Sequence, residues 1–282
     1  MRNNEERLGG KIQKDDSLPP ITQNVDRGLN LNFVVPTEFV ELPSRGRFYS
    51  SDHPLRNKTT IEIKQMTAKE EDLLTSKSLL KKGIALDKVI ESLVVDKSIE
   101  VDSLTAEDRS AIVVAARISG YGPEYVTSIT CPSCETKVKY SFDLNTKLPK
   151  DDDEPEFDPP VDDNGYFEIE LPITKWIVKC RALDGRDEKT LLRINEIKKK
   201  SLNDSILMSQ LKLMIVSVQD LFDDETISLA LEKMPAGDSR YLRKMYQAIV
   251  RSVDMRQNFV CEKCEYETDL EVPLNADFFW IK

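Results

Sequence analysis

The stretch Ile129-Thr-Cys131-Pro-Ser-Cys134-Glu-Thr-Lys-Val-Lys-Tyr140-Ser-Phe142 has a counterpart far along the chain, Phe259-Val-Cys261-Glu-Lys-Cys264-Glu-Tyr-Glu-Thr-Asp-Leu270-Glu-Val272. Each holds a Cys-x-x-Cys turn, whose two-residue spacing lets both sulfurs point at one cation. Two such turns supply the four thiolates of a closed tetrahedral site. Tyr140, Phe142, Leu144 and Asn145 follow Cys134 by 6, 8, 10 and 11 residues, and Leu270, Val272, Leu274 and Asn275 follow Cys264 by the same offsets. Ile129 and Phe259 each stand two residues before their pair. The pattern is an internal repeat of strand, Cys-x-x-Cys turn and strand, with apolar residues alternating at period two. It predicts two β-arms facing each other in a zinc-ribbon-like unit, with Cys131, Cys134, Cys261 and Cys264 as ligands of a structural zinc. A redox dithiol of the thioredoxin kind needs a βαβ context, and neither arm offers one.

Working outward, the chain of 282 residues is long enough for one elaborated domain or two small ones, and 40% hydrophobic content supports a core. The formal net charge is −10, so general affinity for nucleic acid or anionic membrane is not expected. The longest apolar run, Ile206 to Val218, is too short for a membrane span and contains Lys212. The first residues lack an apolar signal region. Five cysteines in a chain of this size do not read as a disulfide framework, so a reducing compartment with bound metal is the simpler expectation. Cys180, in the strand-like run Trp176 to Cys180, reads as a small core residue.

The expected class is α+β: a mixed helical domain with short β-hairpins and the zinc-ribbon-like unit. The expected organisation is a disordered N-terminal arm (1–32), an extended segment with a strand and helices (33–123), and the first zinc arm (124–146). An acidic, proline-rich linker (147–164) follows, then a β-hairpin with helices (165–257), and the second zinc arm with an aromatic C-terminus (258–282). Thr67 through Glu70 reads as a capping box opening a helix that Gly83 ends. Leu86, Val89, Ile90 and Leu93 repeat at helical spacing, and Thr105 to Asp108 caps a further helix. The acidic run between Lys150 and Asn164 reads as a solvated spacer. Tyr166 to Leu171 and Lys175 to Lys179 read as a hairpin, and Asp187 opens a helix ending in Lys198 to Lys200. A helix apolar on most of its surface is expected over Ile206 to Val218, buried in the core or against a partner. Further helices are expected over Thr226 to Lys233 and Asp238 to Val253, and Phe278 to Trp280 suggests a packed C-terminus.

Little points to catalysis. His53, the single histidine, lies in a turn-like loop and reads as a surface or hydrogen-bonding group. No glycine-rich phosphate loop or Gly-x-Ser-x-Gly is present, and four sulfurs leave a zinc coordinatively full. The chain therefore reads as non-enzymatic. Many zinc ribbons bind nucleic acid, and a transcription-associated role is the alternative. Charge argues against it: between Cys261 and Val272 the second arm sets Lys263 against Glu262, Glu265, Glu267, Asp269 and Glu271, whereas phosphate contacts need Lys and Arg.

Several segments together resemble the baseplate hub and hub-assembly proteins of T4-like contractile-tailed phages. They are Leu42-Pro-Ser-Arg-Gly-Arg-Phe-Tyr49, His53-Pro-Leu55, Ile61-Glu-Ile-Lys-Gln-Met-Thr-Ala-Lys-Glu-Glu-Asp-Leu-Leu74, Ser78-Leu-Leu-Lys-Lys-Gly83, the run Val178 to Glu188, and the final Pro273 to Trp280. The resemblance implies a non-enzymatic role in building the tail baseplate, as a hub component or an assembly factor. Its partners would be other baseplate and tail proteins. Its place would be the host cytoplasm during assembly, or the baseplate of the virion tail. The zinc expectation stands on this chain's own cysteines.

Overall fold

The structure is a computed structural model that describes residues 35–145, 158–198, 206–253, 255–272 and 276–279. The N-terminal segment read as disordered (1–32) lies outside these, as do most of the acidic linker, Lys199, Lys200 and Trp280. In chain order the elements are β1 (Thr37–Glu41), β2 (Thr60–Lys64), α1 (Ala68–Thr75), α2 (Lys77–Lys82), α3 (Ala85–Leu93) and α4 (Ala106–Tyr121). Then come β3 (Glu124–Thr130), β4 (Lys137–Asp143), β5 (Tyr166–Glu170), β6 (Ile177–Arg181), α5 (Gly185–Lys198) and α6 (Ile206–Met214). The last are β7 (Ile215–Val218), α7 (Asp224–Lys233), α8 (Ala236–Ile249), β8 (Arg256–Val260) and β9 (Glu267–Glu271). This is the expected α+β class, with helices beside short antiparallel hairpins.

Two apolar cores divide the body. The first gathers Ile61 and Ile63 of β2, Val89, Ile90 and Leu93 of α3, Ile112 and Ala116 of α4, and the C-terminal Phe278 and Phe279. The second gathers Phe167, Ile169, Val178 and Cys180 of the β5–β6–β7 sheet against Leu211 of α6, Ile227 and Leu231 of α7, and Leu242 and Tyr246 of α8. Cys180 is fully buried, and that burial pushes its thiol pKa far up, as suits a small core side chain.

The local signals act as their chemistry demands. Thr67 caps α1, receiving the Lys69 amide, and the Glu70 carboxylate takes the Thr67 amide at 2.9 Å. Glu70 also accepts the Ser92 hydroxyl at 2.6 Å, so the capping box pins α1 to α3. The helix expected to run on to Gly83 breaks at Ser76 (ψ 105°), and Gly83 (φ 69°) ends the short α2 instead. A larger difference lies at Ile206 to Val218. Helix α6 stops at Met214, and Ile215–Val218 becomes the third strand of the sheet, opposite Val178 and Cys180. Ile215, Val216 and Val218 are β-branched and lie beside the open edge of β6. Burial of Leu211, Met214, Ile215 and Val218 in the second core explains the run's apolarity, with no partner surface required.

The segment Leu42 to Tyr49 forms a tight turn fastened to the start of α4. Asp108, wholly buried, accepts the Ser44 amide at 3.0 Å, the Ser44 hydroxyl at 2.5 Å and the Tyr49 hydroxyl at 2.6 Å. Its own amide bonds the Thr105 hydroxyl that caps α4. Gly46 sits at φ +71°, where a Cβ would collide with the Leu55 carbonyl. Arg56 donates to the carbonyls of Arg47, Tyr49 and Asp162. The described end of the acidic stretch, 158–164, docks on this turn: Arg47 pairs with Asp158, the Ser51 amide bonds the Asp163 carbonyl, and Val161 bridges to Phe167. His53 stacks on Tyr49 with ring centroids 4.3 Å apart. The Leu55 amide donates to its Nδ1, which leaves Nε2 to donate to the Ser103 hydroxyl at 2.9 Å. Burial lowers the imidazole pKa, so the ring is a neutral hydrogen-bonding strut.

Removing the Asp108 carboxylate strands three donors in a dry site. Asp108→Ala is expected to destabilise the fold by about 3 kcal/mol or more, read as a lowered urea midpoint. An unchanged midpoint would mean that the Leu42 to Tyr49 turn does not depend on Asp108.

Candidate metal centre

The two cysteine arms are built alike. In the first, β3 and β4 pair with Thr127 opposite Tyr140 and Ile129 opposite Val138; in the second, β8 and β9 pair with Gln257 opposite Leu270 and Phe259 opposite Thr268. Every pair in the second arm lies 130 residues beyond its equivalent in the first. The turns also match. The Cys131 amide bonds the Thr136 carbonyl and the Cys261 amide bonds the Tyr266 carbonyl, both at 2.9 Å. Glu135 and Glu265 return to the cysteine carbonyls, also at 2.9 Å, and both adopt left-handed backbone at φ 54° and 55°. The shared spacing therefore encodes a shared turn geometry.

The inner faces of the arms pack on each other. Phe259 is fully buried with Cys131 and Cys261, flanked by Ile129, Val138, Tyr140 and Leu270. The Tyr140 ring meets Phe259 edge-on at 5.4 Å, and its hydroxyl donates across to the Asn258 carbonyl at 2.6 Å. The Gln257 side-chain amide exchanges two hydrogen bonds with the Asp143 backbone. These contacts bring together all four cysteines singled out in the sequence. Their sulfurs lie within 4.8 Å of one another, and two cross-arm approaches, Cys131 to Cys264 and Cys134 to Cys261, are both 3.7 Å. A tetrahedron with metal–sulfur bonds of about 2.3 Å has an edge of about 3.8 Å, so the geometry is compatible with one shared metal ion.

The donor set fits as well. The Thr136 hydroxyl and amide hydrogen-bond Cys134 and draw its thiol pKa down to about 6. The Lys263 and Cys264 amides do the same for Cys261, lowering it. The Tyr266 amide acts in that direction on Cys264 too, but desolvation and the neighbouring thiols of Cys134, Cys261 and Cys131 outweigh it and push that thiol up to about 12, so without a cation the crowded sulfurs keep a proton among them. Hydrogen bonds that favour thiolate prepare sulfur for a cation. Cys131 and Cys261 are buried, whereas Cys134 and Cys264 face solvent. Among the described residues, this is the one convergence of three or more cysteine, histidine or carboxylate side chains able to share an ion.

Arg117 carries a role that the sequence reading did not assign. It is 2% exposed, at the end of α4. Its guanidinium donates to the Gly122 carbonyl at 2.9 Å and the Glu124 carbonyl at 3.1 Å, at the root of the first arm. It also donates to the Phe278 carbonyl at 3.1 Å, just beyond the second arm. Tyr121 and Tyr125 present their rings to it at 5.1 and 6.0 Å. An arginine one residue beyond Ala116, on a helix face otherwise filled by Ile112 and Val113, was the available signal: a cation there needs buried acceptors.

A family model described as T4 bacteriophage base plate protein matches residues 36–280. The chain belongs to that family. No curated protein and no solved structure is matched by it. The matched span takes in the Leu42 to Tyr49 turn, both cysteine arms and Arg117, so the sulfur cluster sits within the body of this base plate protein. Among its described residues no helix is long and apolar enough to cross a membrane.

Phe259→Ala should open the inter-arm core at a cost of about 3 kcal/mol or more, seen as a fall in thermal midpoint. Tyr140→Phe should cost about 1 kcal/mol through the lost bond to Asn258. Equal, negligible effects would mean that the arms do not support each other.

Proposed function

We propose that the chain is a non-enzymatic, zinc-stapled component of the contractile-tail baseplate that holds other tail proteins, as part of the hub or as a factor in its assembly. The observation that carries the reading is the 3.7 Å approach of sulfurs from cysteines 133 and 127 residues apart, inside a chain that belongs to the base plate family. Four sulfur ligands favour zinc, or iron as the other tetrahedral thiolate metal. Zinc suits a site whose task is to brace. All-sulfur ligation fills the coordination sphere and leaves no open position for a substrate, and His53 is engaged with Leu55 and Ser103. Both points support a binding role over an enzymatic one. The acidic second arm supports a protein partner over nucleic acid. On this reading the chain works in the host cytoplasm while tails are built, and a hub component would remain in the virion.

Two measurements test the proposal. Elemental analysis of the purified chain should give one zinc per chain, and Cys134→Ser or Cys264→Ser should lose it together with much of the thermal stability, because metal binding energy here is folding energy. Bound iron would overturn the metal's identity, and unchanged unfolding in both variants would refute the staple. Tagged chain co-expressed with the phage's base plate proteins should retain at least one of them through purification. Recovery of nucleic acid alone, with salt-dependent binding, would overturn the scaffold role.

A further inference from the structure

The matched registers of the two arms expose a difference between their outer faces. Because strand residues alternate, one side of each hairpin packs inward and the other faces solvent. The outward positions of the first arm include Lys137 and Lys139, both exposed. The same positions in the second arm, 130 residues later, hold Glu267 and Asp269, also exposed. Two lysines on one face thus stand where two carboxylates stand on the other, at an identical i, i+2 spacing. Each face also bares an aliphatic side chain on its other strand, Val126 at 47% and Val260 at 52% exposure.

From this complementarity we propose that the outer face of the first arm docks on the outer face of the second arm of another copy, joining copies head to tail. Equal spacing allows Lys137 to meet Glu267 and Lys139 to meet Asp269 in one register. Among the described residues, Lys137, Lys139 and Asp269 make no ion pair or side-chain hydrogen bond within the chain, and Glu267 accepts only the Asn258 amide. The faces cannot meet within one molecule, since the packed inner faces and the sulfur cluster lie between them. A second copy is favoured because one chain presents both signs at equivalent positions. Elsewhere the acidic excess, −10 overall, opposes self-contact. The contact joins two different patches, so it is heterologous and closes into a ring or runs on as an open chain. Exposed ion pairs are individually weak, so the association is sensitive to salt and to concentration.

Sedimentation velocity on the full chain tests this. Wild type should self-associate at about 0.05 M salt and dissociate at about 0.5 M. Lys137→Glu with Lys139→Glu puts carboxylates on both faces, and Glu267→Lys with Asp269→Lys puts lysines on both. Each variant alone should associate at least about tenfold more weakly than wild type, while an equimolar mixture of the two should regain association. A monomeric wild type at low salt would overturn the proposal. So would variants that associate like wild type, or a mixture that stays dissociated. Metal content and thermal midpoint read on the same samples separate a lost interface from a lost staple, so a failure here is distinguishable from a failure of the zinc reading.

Discussion

The meeting of Cys131 with Cys264 closes a loop spanning 133 residues, and the rest of the fold is arranged around that closure. Bringing the ends of so long a segment together costs about 4–5 kcal/mol of chain entropy. No single contact between the arms offsets this. Two hairpins of the same register meet through Phe259, Tyr140 and Leu270, and each turn is held by its own backbone hydrogen bonds. An isolated two-stranded hairpin is marginal in water. Mutual packing makes the pair viable, and the four sulfurs that it gathers within 4.8 Å of one another could hold a cation between the turns.

Helix α4 is the second organising element, because it touches everything that must stay in place. At its start, the Ala106 amide bonds the Leu183 carbonyl, and Thr105 bridges to Asp184 at the mouth of the second core. Asp108 holds the Leu42 to Tyr49 turn. Arg109 binds Asp87 of α3 at 2.6 Å and Glu188 of α5 at 3.1 Å, and Lys189 adds Asp87 and Asp102. Buried and partly buried charges of this kind gain little net stability, since desolvation opposes attraction. What they do is link α3, α4 and α5 through one connected set of ion pairs. At its end, Arg117 fixes the arms. The base plate match runs across all of these contacts, so the family's chain segment and the physical unit coincide.

What was legible in the sequence follows from the range of each interaction. Cys-x-x-Cys turns, the Thr67 capping box and the alternation of Tyr166 to Glu170 are short-range patterns, and each formed as its spacing dictates. The joining of the two arms was legible for a different reason: an internal repeat displays the same local pattern twice. Where a distant partner decides, local reading fell short. Ile215 to Val218 continue a helical apolar pattern, yet the vacant edge of β6, set far back in the chain, draws them into a strand. The break at Ser76 had only a weak local signal, the cap-favouring pair Thr75-Ser76, and Ser76 stands at the N-cap position of α2 without a side-chain cap bond. Asp108 looked like a routine first-turn carboxylate beside Thr105, and its task depends on Ser44 and Tyr49, 64 and 59 residues away. Arg117 was hidden the same way, because its acceptors are backbone carbonyls, which carry no side-chain signature.

The placement of that guanidinium has a mechanical corollary. Gly122 and Glu124 lead into one finger, Phe278 follows the other, and one planar cation clasps the base of both. A pull on the tip of either finger reaches the helix axis through a shared anchor, and the pair resists as a single stiff lever. Load placed on one finger would therefore pass into α4 through the same anchor as load on the other, without the two splaying apart.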